Sequence, residues 1–253
     1  MPKSLTLTLT QPSYALLAAA WQWLLDALFP RRCVGCRRWG SWCCAACLAS
    51  LSFPRQLHCP GCQNVSPLGE WCQDCVAGQA LRGLWCTQNY ANPLLRNMIR
   101  ALKYEGLTEL AVPLGRLLSA TLTTYGLPPA WHEVPRERWY LTPVPLAPRR
   151  ERQRNFNQTE LLAQAVSTTT NLALASVLQR VHSTKPQSEL AQDEQRHSNV
   201  RGAFALQSDA QVAGNAYILV DDVYTSGATM EECARVLRAA GAREVWGLTV
   251  AKG

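Results

Sequence analysis

Between residues 33 and 75 the chain carries four Cys-x-x-Cys pairs: Cys33 and Cys36, Cys44 and Cys47, Cys59 and Cys62, and Cys72 and Cys75. Thiols at this spacing are poor disulfide partners and good metal ligands. Taken in neighbouring sets, they offer four thiolates twice, and zinc takes four such ligands tetrahedrally. Two structural zinc ions are therefore expected. All eight ligands are cysteine, so no coordination position stays open for a reacting water, and the metal is expected to staple the fold rather than catalyse. A redox Cys-x-x-Cys is the competing reading, weakened by the tandem repetition. Gly35 and Gly61 fall inside two of the knuckles, where the sequence suggests a sharp turn. Cys43 adjoins Cys44, but only Cys44 has the right spacing to Cys47. His58, Cys86 and Cys233 are expected to stay outside the ligand sets.

The segment around these pairs is rich in cysteine, tryptophan and glycine and poor in aliphatic residues, so it cannot close an ordinary core without a staple. The rest of the chain can. Of 253 residues, 47% are hydrophobic and 17% charged, which excludes a disordered chain. Nine of the eleven cysteines fall in this one segment. Paired thiols held as metal ligands point to a reducing, cytoplasmic setting rather than a disulfide scaffold. The formal net charge of +7 suits a phosphorylated ligand or nucleic acid.

Residues 14–29 form a mostly apolar stretch, interrupted by Gln22 and Asp26. It lacks the flanks of a signal peptide and is short for a membrane span, so an amphipathic helix packed on the protein is expected, and no transmembrane segment. The expected organisation is a tail and helix over 1–30, a cysteine module over 31–86 and an α/β domain over 87–253. Within the last, helices are expected at Pro93–Tyr104, Glu109–Tyr125, Arg150–Thr168 and Met230–Ala240, the last closed by Gly241. Strands are expected at Trp139–Val144, Tyr217–Val220 and Glu244–Ala251, and a polar, mobile stretch at 180–202. Alternating strands and helices argue for a mainly parallel sheet.

The run Tyr217-Ile-Leu-Val-Asp-Asp-Val-Tyr-Thr-Ser-Gly-Ala-Thr229 carries the chemistry. An apolar strand leads into Asp221 and Asp222, then a short loop, then a helix. Ligands of open α/β sheets sit beyond the carboxyl ends of the strands. Neighbouring acids on a strand point to opposite sides, so one is free to take a ribose diol while the other takes its second hydroxyl or a metal-bound water. Thr225, Ser226, Gly227, Ala228 and Thr229 offer hydroxyls and backbone N–H groups at a helix N-terminus, where an anion is favoured. A bland alternative is a capped strand–turn–helix corner. There is no P-loop and no Gly-x-Gly-x-x-Gly. Nearby, Arg149, Arg150, Arg152 and Arg154 are expected to hold a diphosphate or a nucleic-acid backbone, or else to form a solvated helix face.

The acid pair and its loop resemble the phosphoribosyl-diphosphate motif of type I phosphoribosyltransferases. Leu102-Lys103-Tyr104-Glu105-Gly106, the Val144-Pro145-Leu146 segment, Arg149 to Gln158, and the Gln187, Leu190, Arg196, Asn199, Gly202-Ala203-Phe204 run narrow the resemblance to the competence-associated ComF/GntX family. Ser226 stands where the family has Thr, and Asn155 where it has Gly. The resemblance implies a type I phosphoribosyltransferase-like parallel sheet behind a double zinc ribbon. It implies Asp221 and Asp222 on the ribose hydroxyls, Thr225–Thr229 around the 5-phosphate, and Mg²⁺ on the diphosphate. It also implies Val144, Pro145 and Leu146 on the diphosphate side, with the arginines and Lys185 near. The implied role is DNA uptake or use of external DNA, with DNA-uptake proteins as partners. Trp39, Trp42 and Trp71, with Arg31, Arg32, Arg37, Arg38 and Arg55, offer faces and charge for single-stranded DNA, or fill a small core. Two further readings stay open: an active phosphoribosyltransferase on an unknown amine or base, and a regulator that senses the metabolite.

Overall fold

The computed structural model describes residues 30–51, 56–62, 64–125, 134–182 and 200–253. The expected tail and helix over 1–29, and Arg55, His132, Lys185, Gln187, Leu190, Arg196, His197 and Asn199, lie outside the described residues. In chain order the regular elements are α1 (Ala45–Ala49), β1 (Leu84–Asn89), α2 (Pro93–Tyr104), α3 (Ala111–Tyr125), β2 (Trp139–Pro143), α4 (Pro148–Arg154) and α5 (Gln158–Thr170). They continue with β3 (Ala173–Leu174), β4 (Leu178–Arg180), β5 (Phe204–Leu206), β6 (Ala216–Tyr224), α6 (Ala228–Ala239) and β7 (Glu244–Lys252).

Five strands form one parallel sheet in the order β1-β7-β6-β2-β3. β4 and β5 form a separate antiparallel pair. β6 and β7 are nearly continuous runs of buried residues, as strands covered on both faces must be. On one face Ile218, Val220, Leu248 and Val250 pack with residues of α2, α3 and α5. On the other, Tyr217, Leu219 and Val245 pack with Met230, Cys233 and Leu237 of α6. Each fully buried leucine contributes on the order of 2 kcal/mol, and Trp85 and Trp246, stacked with centroids 4.5 Å apart, tie β1 to β7.

α2 runs over the expected span. Pro93 sits at its first turn, the Asn92 side chain accepts from Leu95 N, and Leu95, Met98, Ile99 and Leu102 form its buried face. The expected helix at 150–168 is instead two. Asn155 adopts φ 62, ψ 12 and ends α4, and Asn157 then caps α5. Asn is the residue best able to replace Gly in this left-handed conformation, so the turn is kept. α3 and α5 approach closely: a Cβ on Gly115 would lie 2.3 Å from the Ala165 Cβ. β6 reaches four residues beyond the expected strand, through both acids to Tyr224. β1, β3, β4 and β5 have no counterpart among the expected elements. No described helix is long and apolar enough to cross a membrane.

Candidate functional site

The two cysteine sets close into two tetrads. The sulfurs of Cys33, Cys36, Cys44 and Cys47 lie within 4.8 Å of one another, and so do those of Cys59, Cys62, Cys72 and Cys75. The tetrads repeat one design. Cys33 N donates to Arg38 O at 2.9 Å, and Cys59 N to Asn64 O at 2.8 Å. Cys44 N points at Cys33 Sγ and Cys72 N at Cys59 Sγ, both at 3.4 Å. Burial raises the Cys33 and Cys59 thiols, but backbone N–H donors outweigh it and bring each down to about 6. Four sulfurs this close, in two sets of four, are what tetrahedral zinc requires, so both tetrads fit structural zinc.

Both knuckle glycines lie in the turns expected of them, and crowding by the ligands adds a reason for glycine there. Neither Gly35 nor Gly61 has positive φ. A Cβ on Gly35 would lie 2.9 Å from Cys47 Sγ, and one on Gly61 3.1 Å from Cys75 Sγ. Glycine makes room for the fourth ligand. Cys43 stays outside the first tetrad; burial pushes its thiol up to about 12. The tryptophans separate. Trp39 is 57% exposed, with the Arg32 guanidinium 3.7 Å from its ring centroid. Trp42 packs against the core and donates to Glu109, and Trp71 packs beside Gly61.

The acid pair lies where β6 outlasts its neighbour β2. The last β2 partner is Pro143, opposite Val220, whereas β7 continues beside Asp221 with Thr249. The two carboxylates face opposite ways, as alternation along a strand requires. Asp222 lies on the α2/α5 side, 4% exposed. Lys103 Nζ donates to its Oδ1 at 2.5 Å and Gln158 Nε2 to its Oδ2 at 2.9 Å. Arg154 Nη1 holds Gln158 Oε1 at 2.7 Å, with its guanidinium 5.2 Å from the Tyr104 ring centroid. Lys103 loses stabilisation to burial, yet the Asp222 charge and hydrogen bond leave its pKa raised.

Asp221 lies on the α6 side. Its carboxyl pKa is pushed up to about 7, first by burial and then by the Asp222 charge. Cys233 and Arg180 feel its charge, and Arg180 in turn feels Arg150. The arginine run is thus divided: Arg149 and Arg152 are exposed, while Arg150 and Arg154 are partly buried, Arg154 reaching Asp222 through Gln158. Val144 is buried and tied to β6 through Val144 N to Val220 O, with Thr159 donating to its carbonyl. Pro145 and Leu146 follow, half-buried, at the same strand ends.

The loop Thr225-Ser226-Gly227 joins β6 to α6. Gly227 has φ 78 and stands at the N-cap of α6, where it has no side chain to offer the helix. A Cβ on Gly227 would meet the Tyr224 hydroxyl at 2.1 Å. Ser226 Oγ is buried and has no partner among the described residues. An orphaned hydroxyl at the N-terminus of a helix suits an anion that would accept from it and from the first backbone N–H groups. The role of Lys103 and Gln158 was not assigned from sequence. Their motifs were visible, but only the fold brings them onto Asp222.

Residues 24–76 match the family described as a double zinc ribbon domain. Competence protein F of Haemophilus influenzae is 30% identical over 213 residues, covering 81% of this chain and 83% of that protein. The chain belongs to the ComF family. DNA utilization protein YhgH of Escherichia coli K12 is 31% identical over 220 residues, covering 82% and 89% of the two chains. Competence protein ComFC of Streptococcus pneumoniae is 26% identical over 80% of this chain and 84% of its own. A solved hypoxanthine phosphoribosyltransferase from Staphylococcus aureus is similar over 58% of this chain and 64% of its own, at 10% identity and a TM-score of 0.31, too loose a likeness to carry an argument. In this ComF-family chain a five-stranded parallel sheet follows a cysteine-rich zinc-ribbon module.

Proposed function

We propose that this ComF-family protein binds phosphoribosyl diphosphate, or a phosphoribosyl group, and assists DNA uptake or the use of external DNA. The observation that carries the reading is the buried, unpartnered Ser226 Oγ at the glycine-capped start of α6, in the loop that follows the acid pair. In this reading Asp221 and Asp222 serve the ribose hydroxyls, with Asp221 the more available because Lys103 and Gln158 already hold Asp222. Thr225–Thr229 surround the 5-phosphate. Mg²⁺ accompanies the diphosphate, which lies toward Val144, Pro145 and Leu146, with Arg150 the nearest basic candidate. Relatives named for competence and DNA utilization support the DNA role, with single-stranded DNA and DNA-uptake proteins as partners and a cytoplasmic site of action.

Thermal unfolding of the zinc-loaded chain with phosphoribosyl diphosphate and Mg²⁺, with ribose 5-phosphate and with pyrophosphate tests this. A ligand at a hundred times its Kd stabilises by about 2.7 kcal/mol. The reading expects the largest shift from phosphoribosyl diphosphate, and a smaller shift from ribose 5-phosphate. Equal shifts from all three, or none, would remove it.

A further inference from the structure

Although the two zinc ribbons share one internal geometry, they dock differently. The first is tied to the α2 region: Asn97 Nδ2 donates to Val34 O at 3.3 Å, and Arg31 and Trp42 both reach Glu109. The second is tied to the loop between β6 and α6. Lys252 Nζ, at the end of β7, donates at 2.8 Å to the carbonyl of Pro60, which lies inside the Cys59–Cys62 knuckle. The same ammonium lies 5.7 Å from the centroid of the Tyr224 ring. The Tyr224 hydroxyl, in turn, occupies the space that a side chain on Gly227 would need. Gly253 N donates to Tyr224 O at 2.9 Å and closes this end of the strand pair. On the far side of the loop, Ala80 N and Leu81 N, just past the second ribbon, both donate to Glu231 in the first turn of α6.

We infer that Lys252 and Tyr224 are positioning residues through which the second zinc ribbon sets the shape of the phosphate-binding loop Thr225–Thr229. The inference rests on the phosphoribosyl reading above. Its physics is electrostatic and steric. Zinc held by four thiolates carries a net double negative charge, which attracts the Lys252 ammonium. With its stem buried and one hydrogen bond committed to Pro60, the ammonium has a fixed place over the Tyr224 ring. That ring fixes Gly227, and Gly227 sets where the first N–H groups of α6 point. A ribbon that loses its zinc loses the knuckle carbonyl that holds Lys252, and the loop loses one wall.

Hydrogen exchange at residues 225–229 reads this directly, on the full zinc-loaded chain. Lys252→Gln removes the charge and keeps most of the stem. It should keep wild-type zinc content, measured with a chromogenic chelator. It should also speed exchange at 225–229 several-fold and weaken phosphoribosyl diphosphate about tenfold, as expected for loss of one hydrogen bond from a charged group. Lys252→Arg should recover much of both, and Glu109→Ala, which removes the Arg31 and Trp42 ties of the first ribbon, should change neither. On the unaltered chain, chelating zinc should also speed exchange at 225–229. Unchanged exchange and affinity in Lys252→Gln would overturn the inference, as would equal loosening by Glu109→Ala. If the wild type binds no phosphoribosyl diphosphate, the phosphoribosyl reading falls by itself, and the exchange comparison alone decides the coupling.

Discussion

Lys103 Nζ lies 2.5 Å from Asp222 Oδ1, across the boundary between α2 and the end of β6, with the two side chains 18% and 6% exposed. The pair joins two motifs more than a hundred residues apart. It also lets two adjacent acids coexist at a strand end, because one of them is neutralised from the opposite face.

Removing the cation leaves a buried carboxylate without its partner. Lys103→Met should therefore cost about 3 kcal/mol in urea unfolding. The double change Lys103→Met/Asp222→Asn should recover a substantial part, since the uncompensated charge goes with it. Equal losses in the single and double variants would show that the pair is not the source.

Asp221 gives a pH dependence of known sign. Its folded pKa of about 7 stands above its ordinary value of 3.8. Between those values the folded chain binds the extra proton, so Asp221 makes stability fall as pH rises through the window. Asp221→Asn should flatten that part of the curve and raise the melting temperature at pH 8 relative to wild type. A ligand hydroxyl donates best to the carboxylate, so affinity for a ribose diol should rise with pH up to about 7 and then level off in the wild type only.

The knuckle glycines predict a graded zinc defect. Gly35→Ala places a methyl 2.9 Å from Cys47 Sγ, and Gly61→Ala 3.1 Å from Cys75 Sγ. Chelator competition should find zinc held more weakly in both variants, and most weakly in Gly35→Ala. Normal zinc retention in both would mean that the sulfurs move aside freely.

Gly227→Ala should destabilise by at least about 1 kcal/mol, since its φ of 78 is disfavoured for alanine and the Tyr224 hydroxyl blocks the new methyl. Urea unfolding checks this, and a neutral outcome would mean that Tyr224 has another rotamer to occupy.

Much of this was legible in the sequence because it is local. The Cys-x-x-Cys spacing picks out the eight ligands without any tertiary information, while their grouping into two tetrads is given by the structure, and the apolar periodicity of Pro93–Tyr104 defines α2 with its boundaries. Asn155 stands where the resembling family has Gly, and the structure gives it the left-handed conformation that Asn tolerates best after Gly. What escaped is non-local or short. β1 is a six-residue strand, Leu84–Asn89, whose register with β7 appears only in three dimensions. The apolar run that marks β6 ends at Val220, with the acids expected at the strand end, yet β7 continues to bond past them to Tyr224. The division of the arginine run and the use of Lys103 and Gln158 depend on which helix faces which acid.

The central claim is a phosphoribosyl site on the β6–α6 loop. Titration calorimetry with phosphoribosyl diphosphate and Mg²⁺, on the zinc-loaded wild type and on Asp221→Asn, tests it most directly, because Asp221→Asn leaves the Lys103–Asp222 pair intact. The account predicts one site per chain in the wild type and affinity lowered at least tenfold in the variant. A folded, zinc-loaded wild type that gives no binding heat across a range of temperatures, or a variant that binds as tightly, would contradict it.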